Sequence, residues 1–173
     1  DQSKYHALLK EMLNYGAAAQ TYFGYNTDAL VNENIKDAGA EAVPAVATQT
    51  MSFTGSVDGI SYYGASLVYR EKLAVRFYFE GSVDGITFAN GGAPCTVASK
   101  NGMYYAEVGG ILPQNLHQSI TLTATDAAGN TFTVTYSPMN YIVRMYAKGD
   151  DAQKNLMTAL YNYHLAAKAL TQA

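Results

Sequence analysis

"LAVRFYFEGSVDGITF" (Leu73–Phe88) is the stretch on which the fold turns. Leu73, Val75, Phe77 and Phe79 alternate with Ala74, Arg76, Tyr78 and Glu80. Successive side chains of a strand point to opposite faces, so this period of two predicts one apolar and one wet face. A half-buried strand of that kind belongs to an antiparallel sheet. The alternation stops at Gly81, where "GSVDGI" begins. The same hexapeptide occurs earlier, at Gly55–Ile60. In each copy Asp-Gly lies between β-branched residues, which predicts a two-residue type I′ hairpin at Asp58-Gly59 and at Asp84-Gly85. The flanks differ between the copies, so the repeat reads as one turn chemistry used twice. Ser82–Phe88 also comes within one residue of the Asp-box pattern, itself a hairpin-stabilising device.

The period of two holds from Met51 to Tyr136. Ile120, Leu122 and Ala124 alternate with threonines, as do Phe132, Val134 and Tyr136. Further turn signals stand at Asn101-Gly102 and Asp126–Asn130. About seven strands at this spacing predict an antiparallel Ig-like sandwich. Helical spacing brackets it. Tyr5, Leu8, Leu9, Met12, Leu13, Gly16, Ala19 and Phe23 form a stripe over Ser3–Tyr25, stopped by Gly24. Asn26 caps a short turn through Ala29–Val31, and Asp37–Thr50, with Pro44, reads as an extended connector. Ser137-Pro138 opens a helix to about Ala147, Gly149 breaks it, and Asp150 caps a last helix through Leu170. "LNYGAAAQ" (Leu13–Gln20) is echoed by "YNYHLAAK" (Tyr161–Lys168), which predicts that the end helices pack together through small residues. The fold class is therefore α+β. It is one composite module of 1–49 (helix and connector), 50–136 (sandwich) and 137–173 (C-terminal helices).

Composition narrows the setting. Of 173 residues, 49% are hydrophobic and only 14% charged, below the usual quarter or so. Net charge is −3 and no Lys/Arg cluster exists, which argues against a nucleic-acid partner. No apolar run is long enough to span a membrane. A single cysteine, Cys95, rules out an intrachain disulfide and reads as a packed thiol. The chain opens almost directly into a helix, which reads as a piece of a longer protein. Fifteen tyrosines without a tryptophan predict many half-buried rings.

"LNYGAAAQTYFGYNTDAL" (Leu13–Leu30), "YSPMNYIVRMY" (Tyr136–Tyr146) and "NLMTALYNYHLAAKAL" (Asn155–Leu170) resemble a recurrent helix-plus-sandwich module. That module is found near the C-terminal ends of large secreted or cell-surface proteins of gut Firmicutes. "LAVRFYFEG" and "MYYAEVGGI" look like it too. The resemblance implies an extracellular or cell-wall setting and a multimodular parent. It assigns no activity and no site residue.

Few residues read as chemistry. His6, His117 and His164 lack metal-ligand spacing, and His164 reads as a packed residue. Asp58 and Asp84 are loop oxygen donors of the kind Ca²⁺ takes, with Asp126 and Asn130 in a third loop. Lys72, Lys100 and Cys95 sit in no cross-linking motif. Glu80 and Glu107 are isolated acids on strands, whereas glycoside hydrolysis needs a close pair. Binding is the better expectation. Tyr62-Tyr63 and Tyr104-Tyr105 each send one ring outward from a strand, and Tyr78, with Tyr69 and Arg76, adds to such a face. The expected function is a non-catalytic structural or adhesion module of a secreted or surface protein, needing no cofactor beyond a structural Ca²⁺. Its partners are neighbouring domains, a glycan or a cell-surface protein. The alternative is a carbohydrate-binding module assisting an attached glycoside hydrolase.

Overall fold

The computed structural model describes residues 2–32, 43 and 51–172. The connector expected at Asp37–Thr50 lies outside them, apart from Val43. Among the described residues the fold is α+β, with three α-helices, a short 3₁₀ turn at Pro113–Asn115 and two open antiparallel sheets. It divides into two compact units.

One unit, Thr48–Ile111 with His117–Tyr141, holds the strands. These are β1 (Ser52–Gly55), β2 (Ile60–Val68), β3 (Leu73–Gly81), β4 (Thr87–Asn90), β5 (Ala93–Pro94), β6 (Thr96–Lys100), β7 (Met103–Ile111), β8 (Ile120–Thr125) and β9 (Thr131–Tyr136). One sheet has the order β1-β9-β8-β4-β5 and the other β2-β3-β7-β6. Nine strands rather than about seven arise because β1 and β5 are short edge pieces of four and two residues. Val75, Phe77 and Phe79 are fully buried, as alternation requires. Ala74, expected on the wet face, is buried as well, beside an irregularity in the β3–β7 register. Phe79 contacts Phe88 of β4 at 5.0 Å and Phe132 of β9 at 6.2 Å, so rings from the two sheets meet. Burying each such side chain is worth roughly 1.5–3 kcal/mol. On the other side of the five-stranded sheet, threonines face across strands, with Thr123 and Thr133 hydroxyls 3.1 Å apart.

The turns correct one expectation. Asn101 and Gly102 both have positive φ between paired Lys100 and Met103, the geometry of a type I′ hairpin. Neither GSVDGI copy is a hairpin. β1 pairs with β9 and β2 with β3, so the first copy carries the chain from one sheet to the other. The second leads from β3 back to β4 in the first sheet. Positive φ occurs at Gly59 and Gly85 but at neither aspartate, which excludes type I′. The Ile86 amide donates to the Val83 carbonyl at 3.0 Å, closing a turn whose third residue alone is left-handed. Both copies also begin on a left-handed glycine at a strand end, Gly55 and Gly81. The strands that precede them do differ, β1 being a short exposed edge strand and β3 a long, largely buried central one, but both copies serve as crossovers. They are also neighbours: Ile60 pairs with Gly81, and the Ser82 amide donates to the Gly59 carbonyl at 3.0 Å.

The other unit gathers Asp1–Ala47, Leu112–Leu116 and Ile142–Ala173. It contains α1 (Gln2–Phe23), most of α2 (Pro138–Lys148) and α3 (Asp151–Thr171). Leu112–Leu116, which the sequence places within the sandwich, belongs with the helices. α1 packs on α3 as the echoed motif predicts. Tyr15 stacks on Tyr163 at 5.7 Å, and Ala17, Ala18 and Ala167 are buried. Gly16 instead makes room for Val31, whose Cγ2 would lie 2.9 Å from an added Cβ. α1 ends in a Schellman motif: the Tyr25 amide donates to Gln20 and Gly24 to Thr21. The Gln20 side chain then clasps the following turn, donating to the Asn26 and Ala29 carbonyls and accepting from the Val31 amide. Of the predicted α1 stripe, Tyr5, Leu9, Met12, Leu13 and Phe23 are exposed and none is fully buried; the residues that α1 buries are Asn14, Ala17 and Ala18, on a face beside that stripe. Asp150 caps α3 in a reciprocal box with Gln153.

Candidate functional site

The outer face of the four-stranded sheet is built from two rungs. Register aligns Gly64, Tyr78, Tyr105 and Ala98 across β2, β3, β7 and β6. The next rung aligns Ser66, Arg76, Glu107 and Thr96. One rung is aromatic at its centre and the other ionic, and small residues border both. The Tyr78 and Tyr105 rings lie 5.5 Å apart. The Arg76 guanidinium sits 4.3 Å over the Tyr105 ring, a cation–π contact worth about 0.5–1 kcal/mol where water reaches it. A Cβ at Gly64 would meet nothing within 4 Å, so open space adjoins the Tyr78 end of the rung.

Glu107 holds the ionic rung together. Its carboxylate accepts from Arg70 Nη1 at 2.7 Å, Arg70 Nη2 at 3.3 Å and Arg76 Nε at 2.8 Å. Hydrogen bonds from Arg70 foremost, then Arg76, hold this carboxyl below its ordinary range. Glu107 in turn raises Arg76. Two guanidiniums on one carboxylate leave one positive charge, and Arg70 remains half exposed. Water screens the network, so its energetic worth is small and its main effect is to fix the side chains beside Tyr105.

The five candidate tyrosines separate. Tyr78 and Tyr105 share the face. Tyr63 is the extra residue of a bulge between Tyr62 and Gly64 and is 65% exposed. Tyr62 turns inward, against Phe53, Phe79 and Phe132. Tyr104 pairs with Phe79 and so falls on the inner side of β7. Adjacent Tyr-Tyr pairs do split between faces, but only register tells which member is outside. Sequence reasoning missed Arg70, which reaches Glu107 from the β2–β3 connection; nothing local marks a contact 37 residues away.

Asp58 and Asp84 occupy the two neighbouring crossover turns, each exposed. Among the described residues no group of three or more His, Cys, Asp or Glu side chains could hold a metal ion. Asp126 is spent on its own loop, accepting from the Ala128 and Asn130 amides and the Asn130 side chain, contacts that lower its acidity range. His164 is buried with Nδ1 2.6 Å from the Pro113 carbonyl. Cys95 is half-buried, and burial raises its thiol pKa.

The chain matches no protein-family model, no curated protein and no solved structure. No helix among the described residues is long and apolar enough to cross a membrane.

Proposed function

We propose that this chain is a non-catalytic adhesion module of a multimodular extracellular or cell-wall protein, and that the outer face of the four-stranded sheet is its contact surface. The observation that carries this reading is the Tyr78–Tyr105 rung fixed beside Arg76, Glu107 and Arg70. Aromatic and arginine side chains are the types that anchor interfaces, and here they are held in place before any partner arrives. Glu107 suits this role better than acid catalysis. A general acid needs a raised pKa, whereas two arginines lower this one. We read the finer architecture as an Ig-like sandwich, supported by the ring contacts of Tyr62 and Phe79 with Phe132. Partners on this reading are a cell-surface protein and the neighbouring domains of the parent.

A second reading is a carbohydrate-binding module attached to a glycoside hydrolase. The paired tyrosine rings beside the space at Gly64 favour it, since sugar rings stack on aromatic faces. An array carrying plant glycans, mucins and immobilised surface proteins tests both. Binding that a Tyr78→Ala/Tyr105→Ala variant loses while keeping its melting temperature supports the face. Retention on proteins alone selects adhesion, and retention on glycans alone selects the second reading. No retention on any of them overturns both.

A further inference from the structure

An open sheet can grow only at its edges, and the two sheets here have four among the described residues. Three are poor templates for another strand. β1 has four residues, and β5 has two, one of them Pro94, which has no amide to donate. β6 ends on Lys100, a charge that resists a neighbouring strand. The fourth edge is β2, nine residues with neither a charge nor a proline. Its one irregularity is the bulge at Tyr63. Beyond the bulge the register with β3 is unbroken, from Gly64 against Tyr78 to Val68 against Ala74. Alternate residues of an edge strand turn their amides and carbonyls away from their one neighbour. Among the described residues, 64–68 make no backbone hydrogen bond outside the β2–β3 pair.

The sequence of this segment selects its partner. "GASLV" runs from small to large with Ser66 at its centre. Two copies lying antiparallel with Ser66 facing Ser66 set Gly64 against Val68 and Ala65 against Leu67. Each large aliphatic side chain then meets a small one, and the two hydroxyls meet on the axis, a favourable cross-strand pair. A Cβ at Gly64 would meet nothing within 4 Å, so there is room for the incoming Val68. A two-fold dimer requires such self-complementarity, because the same residues serve both sides. Charge does not oppose it. On the central rung the nearest charges are the Arg76 of each copy, three strand spacings or about 14 Å apart, beyond a Debye length of about 8 Å. Each is already paired with Glu107.

We infer that residues 64–68 pair antiparallel with the same residues of a second copy of this chain, joining two four-stranded sheets into one of eight strands. The pairing does not depend on what the outer face binds. Five residues a side fall short of the roughly 1,200 Å² of a standard interface, so the dimer is a weak one.

Sedimentation velocity of the full chain from about 10 µM to about 1 mM tests the pairing. The sedimentation coefficient is expected to rise toward that of a dimer, and amide exchange at residues 64–68 to slow in step. Ser66→Lys, which sets like charges face to face, is expected to weaken association at least about tenfold while the dilute chain keeps its melting temperature. Mixing it with Ser66→Glu restores association, because opposite charges then meet at the same point. Thr96→Lys, on the β6 edge of the same rung, leaves association unchanged. A chain that stays monomeric to about 1 mM overturns the inference. So does association that Ser66→Lys fails to weaken or the mixture fails to restore. Exchange in the parent chain needs no variant and decides the outcome if either substitution unfolds the chain. Slowing confined to the exposed Tyr5, Leu9, Met12 and Leu13 of α1 overturns the inference and places the contact on that helix.

Discussion

Gly55 and Gly81 show how much a missing Cβ decides. A Cβ built on Gly81 would lie 2.0 Å from the Gly59 carbonyl oxygen, and one on Gly55 would lie 2.1 Å from that of Thr131. Both residues are left-handed, with φ of +99° and +75°. Only glycine lets the strand end turn away while its backbone touches a neighbouring carbonyl. Gly85 is left-handed too, at +73°, yet a Cβ there meets nothing within 4 Å. The three positions separate strain from clash. Gly85→Ala is expected to cost about 1–2 kcal/mol, the left-handed penalty alone. Gly81→Ala and Gly55→Ala add a backbone clash and should exceed it by about 2 kcal/mol or more. Urea unfolding measures this, and equal costs at Gly81 and Gly85 would contradict the crossover geometry.

α1 and α3 meet through a pair that the sequence already marks. Asn14-Tyr15 and Asn162-Tyr163 are the echoed dipeptides, and their tyrosines stack while both asparagines are buried. Asn14 accepts from the Asn32 side chain and donates to Glu11; Asn162 donates to the Thr158 carbonyl. Burial first, and Tyr163 second, push the Tyr15 hydroxyl far above its ordinary value. Its folded pKa is raised, so its contribution is complete below about 10, the value in an unfolded chain. That contribution is lost as pH rises further, because only the unfolded chain readily ionises. Tyr15→Phe removes this titration. Alkaline unfolding followed by circular dichroism should begin at a higher pH in that variant. A transition identical to that of the parent chain would show that Tyr15 is not the coupled group.

For the chain as a whole, Glu107 is expected to contribute to the loss of stability in acid. Glu107 is held below its ordinary carboxylate range by Arg70 and Arg76. A depressed folded pKa contributes stability above the unfolded value, about 4.3, and loses it as pH falls through the folded one. The pair is partly exposed, so the effect is expected to stay within about 1 kcal/mol. Glu107→Gln should lower the neutral-pH melting temperature slightly, in line with a contribution of no more than about 1 kcal/mol, and so flatten its fall below about pH 4.5. An unaltered acid limb would mean that other carboxylates carry it. Local pattern is enough to read the α+β class, the strand alternation of Leu73–Glu80, a turn at Asn101-Gly102, the Asp150 cap and, from the echoed motif, the α1–α3 partnership. Each rests on neighbours in sequence or on a face that must be buried. The same local chemistry misled at GSVDGI. Asp-Gly states that the chain turns, but whether it returns beside itself or crosses to another sheet depends on which strand lies across from it. Register likewise chose Tyr78 and Tyr105 over Tyr62 and Tyr104 and brought Arg70 to Glu107. Those outcomes arise from pairings tens of residues apart, and no local pattern encodes them.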